Sequence, residues 1–228
     1  MKKLIVLIGF LGIQYQAFCC ITCNRQIQQE IYDSTFFPNL LTMLSAFIVL
    51  AIIVVYLAYL SNKRHKRFVS ENAEILNPRP LTTASMVLGI GIGGFIDGII
   101  LHQIFQWHEM ISNKMPPITV VAKSVNMFWD GIFHFFTLIV VMVGVTLLWK
   151  LLKRKDIDKS GKLLVGGLLL GWGLFNIVEG IIDHHLLKLH NVREISTQID
   201  FWNYSFLAIS IIILFIGYML TRQKTVKQ

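Results

Sequence analysis

Apolar residues in this chain are gathered into long runs, which short polar segments separate. A helix needs about 20 apolar residues to cross a hydrocarbon layer about 30 Å thick. Six runs approach or reach that length, at residues 4–18, 40–60, 83–105, 126–149, 163–187 and 201–220. The pattern predicts an all-α fold, a polytopic membrane helix bundle.

The first run is shorter than the others and follows Lys2 and Lys3. A charged start, a short apolar stretch and a mildly polar end are typical of a secretory signal peptide. No small-residue cleavage site precedes Cys19. Residues 1–18 are therefore predicted to be a signal peptide or an uncleaved signal anchor, and cleavage leaves five spans.

Composition and charge agree with this architecture. Hydrophobic residues make up 54% of the chain and charged residues 15%, whereas soluble domains have about 45–50% and about 25%. If the spans alternate, sixteen of the 21 Lys and Arg residues lie on the side of the N-terminus and five on the other. The positive-inside rule makes that side, and the C-terminus, cytoplasmic. The net charge of +8 thus reports orientation, and no separate feature supports binding to nucleic acid.

Two features follow the signal-like run on the extracytoplasmic side. Cys19, Cys20 and Cys23 face an oxidising compartment, which favours a disulfide, although the C-x-x-C spacing also suits a soft metal or electron transfer. Residues 26–37 carry Ile27 and Ile31 on one face. They are predicted to form a short amphipathic helix on the outer surface.

An internal repeat relates two of the spans. Residues 88–102 align without a gap on residues 170–184, at an offset of 82, and the acidic residues and histidines fall in register. Residues 128–134 similarly resemble residues 201–207, with Asn203 in place of Asp130. The repeat predicts duplicated helix hairpins around a pseudo-twofold axis, which form a four-helix core.

These features divide the chain into six parts. The predicted parts are a signal segment (1–18), an extracytoplasmic Cys-containing segment (19–38), a peripheral transmembrane helix (39–61), a basic cytoplasmic loop (62–82), the duplicated four-helix transmembrane domain (83–221) and a cytoplasmic tail (222–228).

Ionisable residues inside or next to the predicted spans mark a candidate site, because their burial in a membrane is costly. Counted from the outer ends of the spans, Asp97, His134 and Glu179 lie deepest and are predicted as the first ligands of a metal. Asp183 and Asp130 are candidates for proton transfer. The full set of candidate metal ligands is Asp97, His102, His108, Asp130, His134, Glu179, Asp183, His184 and His190.

Helix geometry restricts how these residues combine. At about 100° per residue, His102 and His184 point about 140° away from Asp97 and Glu179. One helix then does not offer both its acid and its histidine to one metal ion, and neighbouring helices complete the site. Asp130 and His134, four residues apart, share a face.

The chemistry of the site leaves three alternatives. Carboxylate and imidazole ligands suit zinc, iron or manganese, and helix bundles of this kind hold dinuclear centres. Two histidines on facing helices also suit haem. Alternatively, the acids and histidines only neutralise and hydrogen-bond each other. Outside the site, Trp107, Trp129 and Trp202 are predicted to lie at the membrane boundary, and His185 in a loop or interface.

Residues 93–103, 106–108, 130–134 and 176–187, with His190 and Arg193, carry a recognisable set of motifs. They resemble the domain-of-unknown-function 2243 family of predicted bacterial integral membrane proteins, over about residues 83–220. The resemblance implies a bacterial cytoplasmic (inner) membrane. It also implies partners in respiratory-oxidase assembly or metal delivery, besides the lipid bilayer itself.

The sequence as a whole predicts a transition-metal-binding membrane protein with its site in the outer half of the bilayer. A metal-dependent hydrolase or oxidoreductase that acts at the extracytoplasmic face is the leading hypothesis. A metal-handling or respiratory-oxidase assembly factor and a haem-binding electron-transfer protein are the alternatives.

Overall fold

A computed structural model describes residues 24–71 and 76–222 of the protein. In these ranges the chain forms six α-helices, and the third and fifth continue as π-helices. The α-helices are α1 (Arg25–Ile31), α2 (Phe36–Glu71), α3 (Arg79–Ile96), α4 (Val120–Leu151), α5 (Gly161–Glu179) and α6 (Ile199–Thr221). The π-helices are Asp97–Ile104 after α3 and Gly180–Leu186 after α5. The signal-like run and the three cysteines lie outside the described residues, so their assignments stay predictions.

Five helices are long and apolar enough to span a membrane, which confirms the predicted helix bundle. The spans are Phe36–Leu60, Arg79–Ile104, Val120–Leu151, Gly161–Leu186 and Ile199–Thr221. Helix α3 begins at Arg79, four residues before the predicted start. Pro80 fits this first turn, because the N–H that proline lacks would have no helical partner there.

Helices α3 and α5 form the centre of the bundle. About half of each span is buried, 56% and 50%, against 11–17% for the other three. The two helices touch backbone to backbone, since a Cβ atom on Gly89 would meet the carbonyl of Leu168 and one on Gly171 that of Met86. Gly171 is the counterpart of Gly89, and Leu168 that of Met86, at the offset of 82 positions. Helix α4 packs against α3, and α6 packs against α5.

Helix α2 lies at the periphery of this four-helix core, as predicted. It packs through Met43, Ala46 and Leu50, which are nearly inaccessible, while the other residues between Phe36 and Leu60 are half-buried or exposed.

Helix α1 differs from the predicted surface helix over residues 26–37. It ends at Ile31, because Asp33 forms a turn in which its carboxylate accepts a hydrogen bond from the Thr35 N–H, at 2.7 Å. Ile27 and Ile31 are buried in the core of the protein. The apolar face of α1 therefore contacts the bundle rather than the outer surface of the membrane.

The loops 105–119 and 187–198 meet at one end of the bundle, which we call the site end. The Asn113 N–H donates to the Leu189 carbonyl, and the Glu194 N–H donates to the Trp107 carbonyl, both at 2.9 Å. Both loops begin in the same way, with a residue in the left-handed region, Gln106 (φ 50°) or Lys188 (φ 49°). These two positions are also 82 apart.

Candidate metal centre

The π-helices bring each acid next to the histidine five residues later. His102 Nε2 lies 3.1 Å from Asp97 Oδ2, and His184 Nε2 lies 2.9 Å from Glu179 Oε1. The prediction that these side chains point about 140° apart is wrong, because it assumed α-helical rotation throughout. In a π-helix the backbone bonds join residues five apart, so residues i and i+5 lie one turn from each other.

His108 and His190 come from the loops at the site end. After Gln106 and after Lys188, the backbone of each loop turns back into the bundle. The His108 Nδ1–H donates to the Val192 carbonyl at 2.8 Å, and the His190 Nδ1–H donates to the Met110 carbonyl at 3.0 Å. Since a carbonyl only accepts, Nδ1 of both rings carries a hydrogen, and Nε2 is the nitrogen that each ring turns toward the bundle interior. Each loop thus orients the histidine of the other for binding through Nε2.

Six side chains converge at this point, and we call them the metal-site cluster. Their members are Asp97, His102, His108, Glu179, His184 and His190, each at most 3% exposed. The rings of His108 and His190 stack at 4.5 Å with an interplanar angle of 3°. Centroids of neighbouring rings in the cluster lie 4.3–6.1 Å apart. The sequence repeat therefore places both halves of the pattern in one buried site.

Two sets of three residues have the spacing of metal ligands. One ligand atom from each of His102, His108 and His190 lies within 4.8 Å of the other two, and the same holds for Glu179, His184 and His190. His190 belongs to both sets. Asp97 adjoins the first, with its Oδ1 at 4.0 Å from His108 Nε2.

Buried polar atoms of the cluster lack hydrogen-bond partners among the described residues. These atoms are both carboxylate oxygens of Asp97, Oε2 of Glu179 and the Nε2 atoms of His102, His108 and His184. An unpartnered buried polar atom costs about 1–3 kcal/mol, so such a concentration calls for a ligand. The donors that remain are imidazole nitrogens and carboxylate oxygens, which suit a transition-metal ion.

Asp130 holds His102 from behind the cluster. Its Oδ1 accepts hydrogen bonds from His102 Nδ1 and from the Met110 N–H, both at 2.9 Å, and its Oδ2 accepts one from Gln103 at 3.3 Å. A carboxylate on the second nitrogen of a ligating histidine fixes the ring and makes it more basic. In the other half, Asn203 accepts from the Val192 N–H at 3.0 Å, while His184 Nδ1 has no partner among the described residues.

Two predicted ligands, His134 and Asp183, neither belong to the metal-site cluster nor support one of its histidines. His134 is turned toward its own helix, where its Nδ1–H donates to the Asp130 carbonyl at 2.7 Å, and its ring lies against Gly98. Asp183 is 1% exposed, and its Oδ1 lacks a partner among the described residues. Of the nine predicted ligands, six form the cluster and Asp130 contacts it.

Several supporting contacts were not foreseen from the sequence. They include the carbonyls of Met110 and Val192 and the ring of Phe133, which stacks on His102 at 5.7 Å. The loop contacts could have been predicted from one sequence feature, the equal six-residue spacing from His102 to His108 and from His184 to His190. Trp129 is 1% exposed, because α1 and α2 cover it. Its predicted place at the membrane boundary is therefore wrong.

The two loop histidines differ in charge. Burial lowers the pKa of His108 well below its ordinary value, and the neighbouring charges of His102, His190 and His184 lower it further. Burial also disfavours the charged form of His190, but the hydrogen bond and charge of Glu179 outweigh it and raise the pKa. His108 is therefore held as the neutral imidazole that metals bind.

A family model described as "predicted membrane protein (DUF2243)" matches residues 84–224. The chain belongs to the DUF2243 family. The matched range of this DUF2243 protein contains the whole metal-site cluster and Asp130, whereas α1 and α2 precede it. No curated protein and no solved structure shows significant similarity to the chain.

Proposed function

We propose that this DUF2243 protein binds transition-metal ions in the metal-site cluster and is a metal-dependent membrane enzyme. The observation that carries the proposal is the convergence of four imidazoles and two carboxylates in one buried site. Ion pairs join Asp97 to His102 and Glu179 to His184, but Glu179 Oε2 and His108 Nε2 still have no hydrogen-bond partner among the described residues, which mutual neutralisation alone does not explain.

The donors divide into two equivalent halves and favour two ions. Asp97, His102 and His108 form one half, and Glu179, His184 and His190 the other, with each pair of counterparts 82 positions apart. Three protein ligands leave open positions on each ion, which is typical of catalytic rather than structural sites. Zinc, iron or manganese fits this mixture of ligands.

A bound ion would supply Lewis acidity or a water of lowered pKa. The protein itself would hold the ions, exclude water and move protons. Asp130 orients His102, and Asp183 is the candidate proton acceptor, because its Oδ1 is buried and free of protein donors among the described residues.

The geometry favours this function over the alternatives. Stacked rings 4.5 Å apart leave no space for a porphyrin between His108 and His190, which favours ions over haem. Side chains at most 3% exposed favour a resident centre over a carrier that releases its metal. The bias of Lys and Arg, sixteen to five, supports an extracytoplasmic site end and a cytoplasmic C-terminus.

Elemental analysis and an absorption spectrum of the protein purified in detergent test the proposal. We expect about two equivalents of zinc, iron or manganese per chain and no Soret band, because each half of the cluster offers three buried candidate ligands. A Soret band, or protein without metal after growth in metal-supplemented medium, would contradict it.

Replacing Asp130 with Asn is expected to weaken metal binding by about 10–100-fold, the usual effect of removing a carboxylate that supports a ligating histidine. The change keeps the shape of the side chain but removes the charge beside His102 Nδ1. Competition with a chelator of known affinity measures the effect. Asp200→Asn, at an exposed position of α6, is the matched control and should bind metal like the unmodified protein.

A further inference from the structure

The two halves of the metal-site cluster differ in what lies behind their histidines. In the first half, the buried side chain of Asp130 accepts hydrogen bonds at its Oδ1 from His102 Nδ1 and from the Met110 N–H, both at 2.9 Å. Its Oδ2 accepts a hydrogen bond from the Gln103 amide at 3.3 Å. The carboxylate is thus fixed by two neighbours and in turn fixes the ring of His102.

Asn203 takes the place of Asp130 in the second half. The two residues align in the sequence repeat. Asn203 Oδ1 accepts from the Val192 N–H at 3.0 Å, as Asp130 Oδ1 accepts from Met110, the counterpart of Val192 at the offset of 82. Asn203 Nδ2 donates to Asn191 Oδ1 at 3.0 Å. Both side chains therefore hold equivalent loops, but only that of Asp130 carries a charge and contacts a histidine.

His184 has no acceptor behind its ring in this second half. Its Nε2 lies 2.9 Å from Glu179 Oε1, while its Nδ1 is buried without a hydrogen-bond partner among the described residues. Asp183 is also buried in this half, but its Oδ1 is likewise unpartnered within the described ranges. No carboxylate therefore orients the His184 ring from the side opposite its Nε2.

We propose that the two metal ions are held unequally, tightly in the half that contains Asp130 and more weakly in the half that contains His184. A carboxylate on the second nitrogen of a ligating histidine fixes the ring and makes it more basic, and its absence usually costs about 10–100-fold in metal affinity. At a limiting supply of metal the first half fills alone. The number of ions in the centre, and with it the proposed activity, then follows the metal supply. This inference rests on the proposed function, because it requires that the cluster binds metal.

Single-site variants of the full chain in detergent measure the two affinities separately. His184→Ala leaves the three ligands of the first half, and His102→Ala leaves those of the second, so repulsion between two ions affects neither measurement. Zn²⁺ is the probe, because such donors bind it more tightly than Mn²⁺ or Fe²⁺, and a chromophoric chelator of known affinity competes for it. We expect one zinc ion per chain in each variant and about 10–100-fold tighter binding in His184→Ala. Equal affinities, or the reverse order, would overturn the proposal.

Asp130→Asn tests whether this carboxylate causes the difference. The amide oxygen keeps the hydrogen bond from the Met110 N–H but removes the charge beside His102. Added to His184→Ala, the substitution should weaken zinc binding by about 10–100-fold. Added to His102→Ala, which lacks the ring that Asp130 supports, it should have a much smaller effect. Losses of the same size in both backgrounds would overturn the assignment.

Asn203→Asp tests the same idea by a gain of affinity. In the His102→Ala background it places a carboxylate at the position that corresponds to Asp130, in the half that contains His184. Zinc binding should become at least about tenfold tighter, the lower end of the usual effect of such support. An unchanged affinity would show that the missing carboxylate is not what weakens the second half, and would count against the proposal.

The zinc titrations also separate this inference from the proposed function. An unmodified protein that binds no zinc would contradict the metal centre, and the inference with it. Zinc bound with equal affinity in the two single-site variants would contradict the unequal holding alone and leave the metal centre in place.

Discussion

Replacing His190 with Ala is expected to remove bound metal from the half of the metal-site cluster that contains Glu179 and His184, and to disturb the other half. The ligand atom of His190 lies within 4.8 Å of those of Glu179 and His184 and also of those of His102 and His108, and its ring stacks on His108. Loss of a residue that only supports a ligand weakens metal binding by about 10–100-fold, so loss of this ligand should exceed about 100-fold. Elemental analysis after gel filtration, followed by titration of the metal-free protein, measures the loss.

His185→Ala is the matched control for this substitution. His185 follows a proposed ligand directly, but its ring packs against Tyr204, at 5.2 Å between centroids. Metal content should therefore stay at the level of the unmodified protein. Full metal content in His190→Ala, with the protein still folded, would show that the cluster is not the metal site.

Replacing Gly171 with Ala is expected to destabilise the bundle by about 3 kcal/mol, the upper end of the usual cost of overpacking. The added Cβ would overlap the Met86 carbonyl and lie 2.7 Å from the Ile90 backbone nitrogen. Backbone atoms do not move aside as a flexible side chain does, so α3 and α5 would have to separate. Thermal unfolding in detergent, followed by circular dichroism, gives the change in stability.

Gly131→Ala provides the comparison, because it makes the same change inside a helix of the same bundle. A Cβ on Gly131 would meet nothing within 4 Å, and alanine favours a helix over glycine by about 0.8–1.0 kcal/mol. We expect no loss of stability. Similar losses in the two variants would show that the close contact between α3 and α5 does not determine the result.

The length of the apolar runs was enough to predict the bundle, and the register of acids and histidines was enough to identify the side chains that cluster inside it. Both signals can be recognised in the sequence alone, because a membrane span requires a long apolar run and a repeat keeps a constant spacing between its matching residues. The six residues of the metal-site cluster are all among those that the repeat identified. Their meeting in one place follows from the contact of α3 and α5 at Gly89 and Gly171.

The directions of the site side chains could not be predicted from a sequence pattern that assumes α-helical rotation throughout. The change from α- to π-helix at Asp97 and at Gly180 alters which side chains share a face, and no residue type marks it. At His134 the helix is regular, as the prediction assumed. The ring nevertheless donates a hydrogen bond to a backbone carbonyl of the same helix, α4, instead of joining the cluster. Tertiary packing also decides that α2 contacts the four-helix core through Met43, Ala46 and Leu50, and the apolar run of α2 alone does not determine this.

The exchange of hydrogen bonds between the loops has a consequence for how the protein is made. His108 is oriented by the carbonyl of Val192, and the Val192 N–H is held in turn by Asn203 in the last helix. The first half of the chain therefore has no finished ligand set when it leaves the ribosome. Metal capture of the kind proposed would therefore have to follow the insertion of α6, and a bound ion would mark a completely assembled chain.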